Sequence, residues 1–206
     1  MIKSPIPKVS NKKQFRAIGI VCGMYKPHES NLINKGFIED SNGLKIDAVV
    51  LGKALPVIKK FINFEKQYFW IVYPRNKDSN NIHLQIAGIW DPSNFKNVDN
   101  YKINKTHDLL LSLDLKDNLF SIRGKLIFIN SQEKELIIRI CPSNQKNKAF
   151  KILVKGEISM KHINSFVSLE VIRIENSLFL EKFEIIEDYI NAVSYTHLTL
   201  PTKRIV

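Results

Sequence analysis

The chain has 206 residues, 44% of them apolar and 25% charged, and 31 Lys and Arg against 20 Asp and Glu leave a formal charge of +11. That composition excludes a disordered chain, leaves room for one large domain or two small ones, and favours a polyanionic partner. No apolar run approaches the roughly 18–20 residues of a membrane span, and the basic start "MIKSPIPKVSNKKQFR" has no apolar segment behind it, so neither a membrane partner nor a secretory signal is expected.

Residues 1–14 carry Lys3, Lys8, Lys12 and Lys13 with Pro5 and Pro7, and read as a flexible basic arm. Such an arm suits phosphate contacts made without sequence choice, though an ordinary solvated tail has the same composition. "QFRAIGIVCGMYK" is a long β-rich run with Gly19 and Gly23 where a strand would bend or bulge. "KGFIED" and "LKIDAVVLG" are strands about an Asn42-Gly43 turn. In "KALPVIKKFINF", Leu55, Ile58, Phe61 and Ile62 recur at helical spacing, with Pro56 tolerable in the first turn. "YFWIVYPR" and "IHLQIAGIW" follow as two strands separated by "NKDSNN". The first unit, residues 15–92, is therefore β-β-β-α-β-β.

Residues 93–118 read as a linker with a short element over 108–115. The second unit, 119–190, repeats the order. "FSIRGKLIFIN" and "KELIIRIC" are strands about "SQE", and "AFKILVKGEI" follows the polar loop "PSNQKNK". "ISMKHINS" stands in the helix's place but is short and weakly helical, and "FVSLEVIRI" and "LFLEKFEII" close the unit about "ENS". "FRAIG" at 15–19 and "FSIRG" at 120–124 put an aromatic four residues ahead of a glycine in each first strand.

Five strands with an insertion between the third and fourth, twice over, resemble the chain order of the OB fold. The expected fold is mostly β: two OB-like five-stranded Greek-key barrels in tandem, with one helix between strands 3 and 4 of the first. A single antiparallel sandwich, or one barrel followed by an unrelated sheet, fits the same strands. "RAIGIV", "KIDAVVLGK" and "WIVYPR" also resemble a family of cyanobacterial proteins, and this resemblance implies no particular activity. The last fourteen residues, "VSYTHLTLPTKRIV" (193–206), resemble the conceptual translation of a transposase-type sequencing adapter. On that resemblance they are a non-native tail, Tyr195, His197, Lys203 and Arg204 carry no function, and the natural chain continues past Ala192.

Strand alternation assigns faces in the second unit. Phe120, Ile122, Leu126 and Phe128 point inward, with Leu136, Ile138, Ile140, Phe150, Ile152 and Val154. Arg123, Lys125, Arg139, Lys151 and Lys155 point outward, with the single carboxylate of Glu135. In OB order these cations share the face along which such barrels track oligonucleotides, with Lys146 and Lys148 at its rim. A sheet also solvates one face with whatever polar residues are to hand, so the pattern alone does not require a ligand. In the first unit the candidate contacts are Lys12, Lys13, Arg16, Tyr25, Lys26, Tyr73 and Arg75; Phe37 and Trp90 are further aromatic candidates. Phe69 and Trp70 are adjacent in one strand, so at least one belongs to the core.

No GxxxxGK[ST], GxGxxG, HExxH or CxxC occurs, and His28, His83, His107 and His162 lack metal-ligand spacing. Catalytic residues, metals and cofactors are not expected. Cys22 and Cys141 fall in strands of different units, as core thiols of a reducing compartment do, which points to the cytoplasm. The expected function is that of a non-catalytic nucleic-acid-binding protein, holding single-stranded RNA or DNA, RNA ahead of DNA, through basic sheet faces and aromatic stacking. The alternative is a protein-interaction or scaffold module of a larger assembly, with "DLLLSLDL" at 108–115 as its apolar patch.

Overall fold

A computed structural model describes residues 4–29, 31–77, 81–90, 108, 110–113, 115–142 and 148–188. The first unit contains β1 (Arg16–Glu29), β2 (Leu32–Glu39), β3 (Lys45–Val50), α1 (Leu55–Phe61), β4 (Tyr68–Asn76) and β5 (Ile82–Trp90). The second contains β6 (Leu119–Asn130), β7 (Glu135–Ile140), β8 (Phe150–Lys155), a 3-10 turn at Met160–His162, β9 (Phe166–Ile174) and β10 (Ser177–Glu187). Hydrogen bonding runs β2-β3-β5-β4-β1 and closes through β1–β2; the second unit runs β6-β7-β8-β10-β9 and closes through β6–β9. In each ring the third and fifth strands are parallel and the other pairs antiparallel, the Greek-key closure of an OB barrel.

The barrels are also joined to each other. β1 pairs antiparallel with β6 from Arg16↔Arg123 to Gly19↔Phe120, so ten strands form one hydrogen-bonded sheet without opening either ring. The two sequence glycines therefore do different work. A Cβ on Gly19 would enter the ring of Phe120 across this seam. The bend in β1 falls at Gly23, where the strand passes from pairing with β4 to pairing with β2. A Cβ there would strike the Glu39 carbonyl. Gly124 is its counterpart in β6, packed against the Arg139 carbonyl where pairing passes from β9 to β7.

A buried ion pair also spans the units. Arg173 of β9 is 2% exposed and reaches Asp40 at 3.3 Å, while its Nε donates to Asn118 and its Nη1 to the Glu175 carbonyl. Asp40 in turn accepts from the backbone of Asn42 and Leu44, fixing the turn in which Gly43 has φ 78°. Desolvation lowers the Arg173 pKa and the Asp40 contact opposes that shift.

A second apolar cluster lies outside the barrels, on the outer face of β1, β4 and the end of β5. Ile18, Ile20, Phe69 and Trp90 are covered there by Ile6 from the N-terminal segment and by Leu110 and Leu115. Two expectations change. Residues 4–14 are laid against the sheet rather than free, held by Ile6, by Arg16 donating to the Pro7 carbonyl, and by Arg123 donating to the Lys12 carbonyl. The leucines of "DLLLSLDL" mostly serve the chain's own sheet, so Leu111 alone among those described is an exposed large hydrophobic. Of the four apolar residues at helical spacing, Ile58 is buried, whereas Phe61, the last residue of α1, is exposed with Lys60 Nζ 5.2 Å from its ring. Phe69 and Trp70 are both buried, one in each cluster.

Candidate nucleic-acid interface

The outward face of β6–β8 is fixed by register. Lys125 lies opposite Arg139, and Arg139 opposite Lys151, so the three cations form one row across three strands. Neither Arg139 nor Lys151 enters an ion pair with a described residue, and both are exposed. A bulge interrupts β6 between Leu126 and Phe128, so two residues there oppose one on β7. The inward phase resumes at Ile129, which is buried, and Phe128 turns outward and is 46% exposed. That corrects its assignment to the core. Phe128 stands opposite Ile137, which stands opposite Leu153, making an apolar row directly beside the cationic one. Cations beside an exposed ring are what a stacking platform for single-stranded nucleic acid requires. Alternation alone misses Phe128 because the inserted residue resets the phase.

Lys155 continues the face but lies opposite Glu135, with its ammonium 5.7 Å from the Phe179 ring. Lys148 is exposed just before β8, and Lys146 lies outside the described residues. Arg123 does not join the open row. The seam with β1 covers it to 6% exposure, and its guanidinium donates to Ser168 Oγ at 2.7 Å and the Lys12 carbonyl at 2.6 Å.

At the seam, Arg16, Tyr73 and Arg75 of the first unit meet Ile140, Pro142 and Phe150 of the second around a cleft of about 340 Å³. The Arg75 guanidinium carbon lies 3.7 Å from the Phe150 ring centroid and its Nη1 donates to the Pro74 carbonyl. Arg16 donates twice to Ser121 Oγ, from Nε at 3.1 Å and Nη2 at 2.8 Å. Phe150, expected inward, is only half-buried because it ends the strand at this mouth.

The remaining candidates are engaged elsewhere. Tyr25 is fully buried, donates to the Ile33 carbonyl at 2.9 Å, and has its pKa pushed up to about 12 by burial, so it is core and not a stacking surface. Trp90 is buried edge-on against Phe69. Lys26 is paired with Glu39, and Lys13 with Glu187 at 2.7 Å; Lys12 is exposed. Cys22 and Cys141 are free thiols, and burial followed by the charge of Asp117 raises Cys22 to about 12. Among the described residues no group of His, Cys, Asp and Glu is arranged to hold a metal ion, and no helix is long and apolar enough to cross a membrane.

Two family models match, one to each barrel. Residues 17–97 match the N-terminal OB-fold domain of the PatR RNA-binding protein, and residues 122–187 match the C-terminal cyanobacterial OB-fold-like RNA-binding domain. No curated protein matches the chain. Among solved structures, a deletion mutant of the single-stranded DNA binding protein from Thermus aquaticus is 9% identical, with 82% of this chain and 91% of that chain covered at a TM-score of 0.40. A murine DNA binding protein bound with double-stranded DNA is 12% identical, covering 84% and 99% at a TM-score of 0.21. At these TM-scores neither likeness bears on fold or ligand. The two family matches, in chain order and coincident with the two closed rings, show that the chain belongs to the cyanobacterial family of tandem OB-fold proteins.

Proposed function

We propose that this protein holds single-stranded nucleic acid, RNA ahead of DNA, on the outward face of β6–β8 without catalysing a reaction. The observation that carries the reading is the pair of adjacent rows, Lys125–Arg139–Lys151 and Phe128–Ile137–Leu153. The cations neutralise phosphates and supply affinity without sequence choice. Phe128 offers a ring on which a base stacks, and every base has a face to offer it. Both family models describe RNA-binding domains, which supports RNA as the ligand and binding as the whole of the activity. The two free thiols suit a cytoplasmic setting. We assign the barrels to residues 15–92 and 119–190 with a linker over 93–118, and regard 193–206, outside the described residues, as a non-native tail.

The test is a fluorescent single-stranded RNA titrated at about 50 and 200 mM salt, where each phosphate contact on a single strand adds about 0.7 to the logarithmic salt slope. A slope of about 2 or more supports three cations at work. Absence of binding at the lower salt contradicts the reading.

A further inference from the structure

The seam cleft lies outside the sheet face on which OB barrels hold their ligands, and its make-up asks for a ligand of its own. Arg16 and Arg123 are Cα partners across the seam, two like charges side by side. Their described acceptors are all neutral: Ser121 Oγ and the Pro7 carbonyl for Arg16, Ser168 Oγ and the Lys12 carbonyl for Arg123. Arg123, which does not itself line the cleft, is 6% exposed, and its Nε has no hydrogen-bond partner among the described residues. Burial, and then the charge of Arg123, draw the Arg16 pKa below its ordinary value. Arg75 likewise has the Pro74 carbonyl and the Phe150 ring as neighbours, and its pKa is lowered by burial. Partly desolvated cations, here with no carboxylate among the described residues beside them, are stabilised by an anion.

Apart from Gln14, the rest of the cleft is apolar and aromatic. Ile140, Pro142, Phe150 and Tyr73 line it, and its volume of about 340 Å³ stands at the small end of the roughly 300–1,000 Å³ of small-ligand sites. A ligand with one planar apolar body and one anionic group fits that composition. The cleft opens at the strand ends just past the cationic row: Ile140↔Phe150 is the residue pair after Arg139↔Lys151, about 3.3 Å farther along the strands and on the opposite, inward phase. We infer that the seam cleft takes one unstacked nucleotide of the strand held on the β6–β8 face, its base against Tyr73 and the edge of Phe150, whose face Arg75 already covers, and its phosphate at Arg16 and Arg75. This rests on the function proposed above and adds a site that needs both barrels. A base still paired in a duplex is not free to enter it.

The experiment uses the full chain and a single-stranded oligonucleotide of about twelve nucleotides, within the range of about 4–16 that one OB barrel spans. Arg75→Ala is expected to weaken binding about tenfold, and Arg75→Lys, which keeps the charge and loses the planar stack, several-fold. In parallel, the same oligonucleotide carrying a photoreactive uridine is crosslinked to the unaltered protein and the joined peptides are mapped. This arm needs no variant to fold. Crosslinks at Tyr73 or Phe150 support the inference. Wild-type affinity in both Arg75 variants, or crosslinks confined to the outward residues Lys125, Phe128, Ile137, Arg139, Lys151 and Leu153, overturns it and leaves the proposed function standing. Failure of the unaltered protein to bind at low salt ends that function itself.

Discussion

The outward faces of β1–β3 and β6–β8 hold the same place in their two barrels and carry their charge differently. On the first, Lys26 is paired with Glu39, Asp47 with Lys77, and Lys45 lies over the Phe37 ring at 5.0 Å. Phe37 stands between Lys26 and Asp47, so ring, cations and carboxylates alternate and satisfy one another. The Lys26 contact holds the Glu39 carboxyl below the usual range. On the second face, Lys125, Arg139 and Lys151 are consecutive across three strands, and Glu135 is the one acid among the outward positions of β6–β8. Identical topology thus gives one face on which cations and carboxylates pair with one another and another on which three cations stand in one register row. On the proposed function, the outward residues rather than the shared fold decide which barrel face binds.

The comparison presumes barrels held together, and the largest expected effect lies there. Arg173→Met leaves Asp40 buried without its cation and is expected to cost about 3–5 kcal/mol, read as a lower denaturant midpoint. A midpoint within error of wild type would mean that the seam does not depend on this pair. Next comes Phe128→Ala. Loss of a stacked base is worth about 1–3 kcal/mol, so affinity should fall about five- to 150-fold, while this exposed position leaves stability within about 0.5 kcal/mol. Phe37→Ala, its counterpart on the first face, should change affinity less than about twofold, since Lys45 already occupies that ring. Equal losses from the two would erase the distinction between the faces.

A smaller effect concerns pH. His162 and Ser165 hydrogen-bond Asp188 and hold its carboxyl below the usual range. A carboxyl depressed in the folded state adds stability above its ordinary pKa of about 3.9 and loses it as pH falls through the lowered value. Asp188→Asn should therefore melt slightly below wild type at neutral pH and converge with it in acid. Curves that stay apart at low pH would show that the charge is not the cause.

Much of this was legible in the residues because period two is strictly local. Leu136, Ile138 and Ile140 alternate with Arg139, and Ile152 and Val154 with Lys151, so the faces of β7 and β8 follow directly. The cationic row needed only the OB register in addition. What stayed hidden depends on partners distant in sequence. The bulge that exposes Phe128 holds no glycine or proline of its own; it lies just beyond Gly124, where β6 has already passed from β9 to β7. The seam that buries Arg123 and creates the cleft comes from β1 pairing with a strand about a hundred residues away, and neither edge is marked for it. Tyr25 looked like an exposed aromatic beside a lysine, whereas the curl of β1 turns it under Trp70.

The central claim is that charge on one barrel face, and not net charge, holds the strand. Its most direct test pairs two double variants with equal charge change, Arg139→Glu/Lys151→Glu and Lys35→Glu/Lys45→Glu, each titrated with labelled single-stranded RNA over a salt series. The account predicts that the first loses about a hundredfold in affinity and flattens the salt slope by about 1.4, two contacts of about 0.7 each, while the second stays within a few-fold of wild type. Equal losses from both, or a larger loss from the second, would contradict it.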